Sequence, residues 1–157
     1  MHRPPNDVEI GDRLTQAEIE DQFNTGFGYH ISGINPRRDQ NDNRYILVFA
    51  NEDGPYDDSV TDGQFRYIGE GLEGNQSEKS SGNSALIDAI STDIPTYFFY
   101  SEADQSGWKY QGQIDVVEYQ REKQHGREVL IFTMRYETNR LSDYSSPGLY
   151  LVSVSDY

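Results

Sequence analysis

From Arg44 to Ala50 the chain runs Tyr-Ile-Leu-Val-Phe-Ala after a single arginine, and so short an apolar run predicts a strand buried on both faces. Gln64 to Ile68 alternates instead, with Phe65 and Tyr67 set against Arg66, as expected of a strand with one wet face. Tyr29 to Ile34, Thr96 to Tyr100, Trp108 to Tyr119 and Glu128 to Tyr136 are rich in aromatic and β-branched residues and read as further strands, with Gly107 and Gly126 marking turns. Two stretches follow a helical period. Leu14, Ile19 and Phe23 share one face of a helix whose start carries a capping-box pair, Thr15 with Glu18 three residues on, and Asn24-Thr25-Gly26 ends it. Leu86, Ile87 and Ile90 form the apolar side of a second helix over Asn83 to Ile90.

The remaining segments connect these elements. Met1 to Asp12, with two prolines and mixed charge, reads as an extended arm, and 13–157 as one domain. Asn51 to Gly63 is an acidic, turn-rich loop and Gly69 to Gly82 a flexible polar one. Asn139 to Tyr157 is polar, then weakly β-rich at Gly148 to Val154, and either adds a final strand or leads to a further domain. Strands in succession with short turns predict a mostly β, α+β fold: a small barrel or closed sheet flanked by two short helices.

Composition narrows the function classes. A chain of 157 residues without cysteine has no disulfide and no thiolate metal site, and three histidines do not make a histidine-rich centre, so no metal or cofactor is expected. No apolar run approaches a membrane span and no signal peptide is apparent, which reads as a soluble cytoplasmic protein. The formal net charge is −14, yet the acidic residues are dispersed, aromatics make up 13% and arginine outnumbers lysine ten to three. A disordered acidic tail lacks aromatics; this is the composition of a folded domain adapted to a salty cytoplasm. At about 1 M salt the Debye length falls to about 3 Å, so acidity does not exclude nucleic acid: only contact-range charges count there.

Several residues carry candidate chemistry beside a plainer reading. Arg37 and Arg38 are adjacent cations in a cation-poor chain, after Asn35-Pro36 in an expected loop; they suit phosphate contact, or simple ion pairs with Asp39 or Asp42. Arg66, Lys79 and Lys109 are weaker candidates of the same kind. Gly69 and Gly71 serve a bulge or tight turn, since Gly-Glu-Gly lacks the spacing and lysine of a P-loop. Asn83 suits a helix cap, and the helix N-terminus behind it suits a phosphate. His30 reads as a strand histidine. The carboxylates show no ordered spacing and no nucleophile motif is present, so the chain is not expected to be an enzyme.

The order Ser32-Gly33-Ile34-Asn35-Pro36-Arg37-Arg38, then Gly54-Pro55-Tyr56-Asp57-Asp58-Ser59-Val60-Thr61-Asp62-Gly63, Phe65-Arg66-Tyr67-Ile68-Gly69-Glu70-Gly71 and Gly82-Asn83-Ser84-Ala85-Leu86 resembles the SRA (YDG) domain. That resemblance spans roughly Gly28 to Glu137. It implies a PUA-like curved barrel that binds double-stranded DNA, extrudes a modified base such as 5-methylcytosine, and holds it between two aromatic rings. Carried over by residue, Tyr56 and Tyr67 are the stacking pair. The pocket aspartate of the family falls on Ser59, so either Asp58, beside Asp57, reads the base edge after a one-residue shift, or the base is another one. Leu72 to Gly82 is shorter than the loop that fills the vacated stack in eukaryotic members; Asn75, Gln76 and Lys79 are its candidate fillers, with Arg37, Arg38, Arg66 and Asn83 on the DNA backbone. The compact form resembles prokaryotic SRA-like domains fused to HNH restriction endonucleases, which implies a defence role and a nuclease domain or partner elsewhere. The alternatives are a PUA-like sensor of a small molecule or nucleotide, and an interaction domain with its pocket packed shut.

Overall fold

A computed structural model describes residues 8–23, 25–26, 33–51, 60–61, 63–71, 73–101 and 106–136. Eight strands and two helices follow in the order β1 Arg13–Leu14, α1 Gln16–Phe23, β2 Ile34–Arg38, β3 Arg44–Asn51, β4 Val60–Thr61, β5 Gln64–Ile68, α2 Ser81–Ser91, β6 Thr96–Ser101, β7 Trp108–Gln124 and β8 Arg127–Tyr136. One curled, half-barrel sheet runs β2-β3-β6-β7-β8-β5-β4, with β1 added to β7. Only the β3–β6 pairing is parallel among these; the others are antiparallel.

The apolar run of β3 lies at the centre because it feeds two cores. Ile46, Val48 and Ala50 face a cluster with Phe65, Phe98, Leu130, Phe132 and the α2 residues Ala85 and Leu86. Tyr45, Leu47 and Phe49 face the opposite cluster, with Tyr97, Phe99, Tyr110 and the α1 residues Ile19 and Phe23. The alternation of side chains along a strand sends successive residues to opposite faces, and both faces of β3 and β6 are roofed, one by each helix. The predicted burial of this strand on both faces is what the structure has.

The capping box forms as its spacing predicts. The Thr15 amide donates to Glu18 Oε1 at 2.8 Å and the Glu18 amide to Thr15 Oγ1 at 3.2 Å. Leu14, Ile19 and Phe23 are buried together, although Leu14 belongs to β1 and not to the helix. The arm is partly described: Val8 and Ile10 pack on the second cluster, and Gly11 and Asp12 bond to the Tyr110 backbone.

Three elements differ from expectation. Arg37 and Arg38 stand on strand β2, not in a loop, since β2 is an edge strand and Pro36 costs no ladder bond there. The strand expected over Tyr29 to Ile34 begins at Ile34; residues 29–32, His30 included, lie outside the described residues, and Gly33 forms a bend. The β7–β8 hairpin runs to Gln124, well past Tyr119. Its extra length is polar and shows no apolar alternation, and is held by pairing from Arg121↔Leu130 to Gln124↔Arg127. The strand expected over Gly148 to Val154 is likewise outside the described residues.

Candidate nucleic-acid interface

Strand β5 presents Phe65 and Tyr67 to the core and Gln64 and Arg66 to solvent. Phe65 stacks on Phe98 with centroids 4.6 Å apart. Tyr67 is 3% exposed, and its hydroxyl donates to Phe49 O at 2.8 Å with Gly33 O at 3.1 Å. A side chain at residue 33 would meet that hydroxyl at 2.9 Å, so glycine there lets the β2 end approach the ring. The phenol is thereby locked to β2 and β3 at its polar tip. Tyr56, Asp57, Asp58 and Ser59 lie outside the described residues; in the chain they directly precede β4, whose Val60 pairs with Phe65.

The segment after β5 is closed by its own polar side chains. The Gly69 amide donates to Leu130 O at 2.8 Å, continuing the β5–β8 ladder by one bond. Gln76 is buried and uses both ends of its amide. Nε2 donates to Gly69 O (2.7 Å) and Gly71 O (3.0 Å), while Oε1 accepts from the Leu130 amide (2.9 Å). Asn83, fully buried within α2, pairs with the Glu70 backbone: Oδ1 accepts from Glu70 N at 2.8 Å and Nδ2 donates to Glu70 O at 3.2 Å and Ser77 O at 2.9 Å. Asn83 therefore does not cap α2; the N-cap position is Ser80 and its hydroxyl makes no cap bond. That task falls to Glu70, whose carboxylate accepts from the Gly82 amide at 2.7 Å. An anion already sits on the helix N-terminus where a phosphate was expected, and it belongs to the chain itself.

The glycines follow from this closure. A Cβ at residue 69 would lie 2.6 Å from Asn83 Oδ1, one at residue 82 would lie 2.7 Å from Glu70 Cδ, and Gly71 has φ +120°. The flexible polar loop of the sequence reading is an ordered segment in which glycine admits the amides that hold it. Gln76, expected as a candidate filler of the vacated stack, is part of that scaffold because burial and three hydrogen bonds commit it.

The other candidates are spread over the surface. Arg37 is held by Thr25 Oγ1 (2.9 Å), Gly26 O (3.0 Å) and Pro36 O (2.9 Å). Arg38 bonds Asp42 O at 3.1 Å and pairs with its carboxylate at 3.4 Å. Arg66 pairs with Glu122 across the outer face of the sheet. Asn75 and Lys79 are exposed in the segment before α2, with Asn75 Oδ1 accepting from the Glu128 amide at 2.9 Å. Arg37 and Arg38 stand on β2, the edge strand at the opposite end of the sheet order from β5 and β4. Among the described residues no group of three or more histidine and carboxylate side chains is placed to hold a metal, and no helix is long and apolar enough to cross a membrane.

Residues 11–138 match the family model of the ScoMcrA-like SRA domain. The chain belongs to that SRA family. Its fold is shared with solved SRA structures. The SUVH5 SRA domain in complex with methylated CHH DNA has a TM-score of 0.67 at 24% identity, covering 96% of both chains. The same domain bound to fully hydroxymethylated CG DNA scores 0.67 at 23% identity, again over 96% of both. Arabidopsis thaliana SUVH6 in complex with SAM scores 0.63 at 23% identity, over 96% of this chain and 28% of that one. At such identities the likeness is one of fold. No curated protein matches this SRA domain in sequence. What the sequence reading missed in the domain is Glu70 with Gly82, and the polar end of the β7–β8 hairpin; the Gly-Glu-Gly…Gly-Asn spacing held the signal for the first.

Proposed function

We propose that this SRA domain is a reader of double-stranded DNA that takes a modified base out of the stack into an aromatic pocket. The observation that carries the reading is the family match over residues 11–138, joined to a fold shared with SRA domains solved on methylated and hydroxymethylated DNA. In this mechanism Tyr56 and Tyr67 stack on the extruded base, offsetting an unstacking cost of a few kcal/mol at about 1–3 kcal/mol per ring. Tyr67 is held in place by its hydroxyl bond to Phe49 O, but its ring lies in the core at 3% exposure, so stacking requires the chain that covers it to yield. Asp58 or Ser59 reads the base edge; a serine donates or accepts one bond but brings no carboxylate to a cytosine amino group. Arg37, Arg38, Arg66, Asn75 and Lys79 are assigned to the DNA backbone, and Gln76 and Asn83 act through the segment they hold. We assign the domain to a cytoplasmic defence system in a halophile, with cleavage performed by an HNH-type domain or partner and none by this domain, whose boundaries we place at 13–157 behind a short arm.

The test is binding to matched duplexes carrying cytosine, 5-methylcytosine, 5-hydroxymethylcytosine or N6-methyladenine, for the wild type, Tyr56→Ala and Tyr67→Phe. Preference for one modified duplex by at least about tenfold is expected, lost in Tyr56→Ala and weakened in Tyr67→Phe, where the ring stays but its anchor goes. Equal binding to all four duplexes, unchanged by either substitution, overturns the reading and favours a small-molecule sensor.

A further inference from the structure

The cations of this acidic domain are unevenly spent. Arg38, Arg44, Arg66, Arg121 and Arg135 are each engaged by a carboxylate: Asp42, Asp88, Glu122, Glu78 with Glu128, and Asp115. Lys79, Lys123 and Arg127 have no carboxylate partner among the described residues, and Lys123 and Arg127 stand close together at the hairpin end. Lys123 and Arg127 flank the tip of the β7–β8 hairpin, and Arg127 Nη1 reaches Gly71 O (2.8 Å) and Gly74 O (3.1 Å) of the segment carrying Lys79. The nearby acids Glu78 and Glu128 are both spent on Arg121, and Glu122 on Arg66; Glu73 is exposed in the neighbouring segment.

The shape of this end is as specific as its charge. Strand β5 ends at Ile68↔Ile131, and beyond it the edge of β8 is bonded by Gly69, Asn75 and Gln76 as far as Glu128, so only the tip from Lys123 to Arg127 projects as a two-stranded turn. The tip turns at His125 (φ 53°) and Gly126 (φ 81°), the left-handed pair of a type I′ hairpin turn. Asn-Gly is the favoured occupant of such a turn; here an exposed imidazole is placed at its apex instead. Such a projecting tip, with its two strands about 4.8 Å apart, meets phosphates at the rim of a major groove about 12 Å wide.

We propose that the β7–β8 hairpin tip, through Lys123 and Arg127 with His125 between them, is a second DNA contact that grips phosphates away from the base pocket. The inference rests on the reading that the domain binds duplex DNA. It also sets a reach. Tyr67 pairs with Phe132, five residues from Arg127 along β8, a distance of about 17 Å at about 3.4 Å per residue. With β8 laid along the duplex axis, as the proposal requires, the hairpin meets the backbone about five base pairs from the extruded base at about 3.4 Å per base step. Because its partners are phosphates, the contact adds affinity and salt dependence without adding base preference.

The experiment compares the wild type with Lys123→Glu, Arg127→Gln, Arg127→Lys and the Lys123→Glu/Arg127→Gln pair, each checked for an unchanged thermal melt. Two duplexes are used, one with about ten base pairs on each side of the modified base and one with about four, which stops short of the hairpin. On the long duplex the paired variant is expected to bind about three- to tenfold more weakly, with the salt slope reduced by about 2. Arg127→Lys is expected to keep wild-type binding, and on the short duplex all variants are expected to match the wild type. Wild-type affinity and slope in the paired variant on the long duplex overturn the proposal, as does an equal loss on both lengths. The ratio of modified to unmodified affinity reports the pocket separately. A wild-type ratio of one defeats the pocket reading and leaves the hairpin measurable on unmodified duplex.

Discussion

Glu70 shows how much one acidic residue can do in a chain crowded with them. Its backbone is read by Asn83, its carboxylate caps α2, and its neighbours must be glycine for either to happen. Removing a buried partner leaves the remaining polar groups unsatisfied at about 1–3 kcal/mol each. Asn83→Ala orphans the amide and carbonyl of Glu70 and removes one of the two bonds to the Ser77 carbonyl, and is expected to destabilise the domain by about 2 kcal/mol or more. Gly82→Ala pushes the Glu70 carboxylate off the helix and is expected to lose about 1–3 kcal/mol. Urea denaturation measures both, and an unchanged midpoint for Asn83→Ala would mean that water replaces the amide. None of this was visible in the bare residues, because a buried glutamine and asparagine look the same in sequence as solvated ones. Only the two glycines hinted that backbone geometry was at stake.

Elements were legible where burial wrote an apolar pattern. Strands β3, β5, β6, the first part of β7 and β8 from Glu128 on follow it, as do both helices. The far half of the hairpin did not show, since Arg121-Glu122-Lys123-Gln124 gains its strand from cross-strand bonds to β8 and not from a core. The edge position of β2, which lets Pro36 and two arginines into a strand, is a property of the sheet order and has no local signature. Helix α1 tests the local rule directly. It is only two turns long and depends on its cap and on Ile19 and Phe23 for stability. Thr15→Ala is expected to cost about 0.5–2 kcal/mol by urea denaturation, whereas Glu18→Gln, which can still accept the Thr15 amide, costs less. Equal losses from the two would show that charge at the first turn matters more than the reciprocal bonds.

At the scale of the whole molecule a net charge of −14 on one small domain repels itself. Raising KCl from about 0.05 M to about 1 M shortens the Debye length from above 10 Å to about 3 Å and quenches most of that repulsion. The melting temperature is expected to rise by about 3–6 °C, equivalent to about 1–2 kcal/mol for a domain of this size. A flat profile by differential scanning calorimetry would show that local ion pairs already cancel the charge. The two-sided sheet has a further consequence, and it concerns time. Strand β3 meets β6 in parallel across the whole length of chain that carries β4, β5 and α2, so the centre of both cores forms only after that loop has closed. The β7–β8 and β2–β3 hairpins need no such closure and can pair within microseconds. The domain is thus expected to fold from its two local hairpins, with the β3–β6 seam between them closing last.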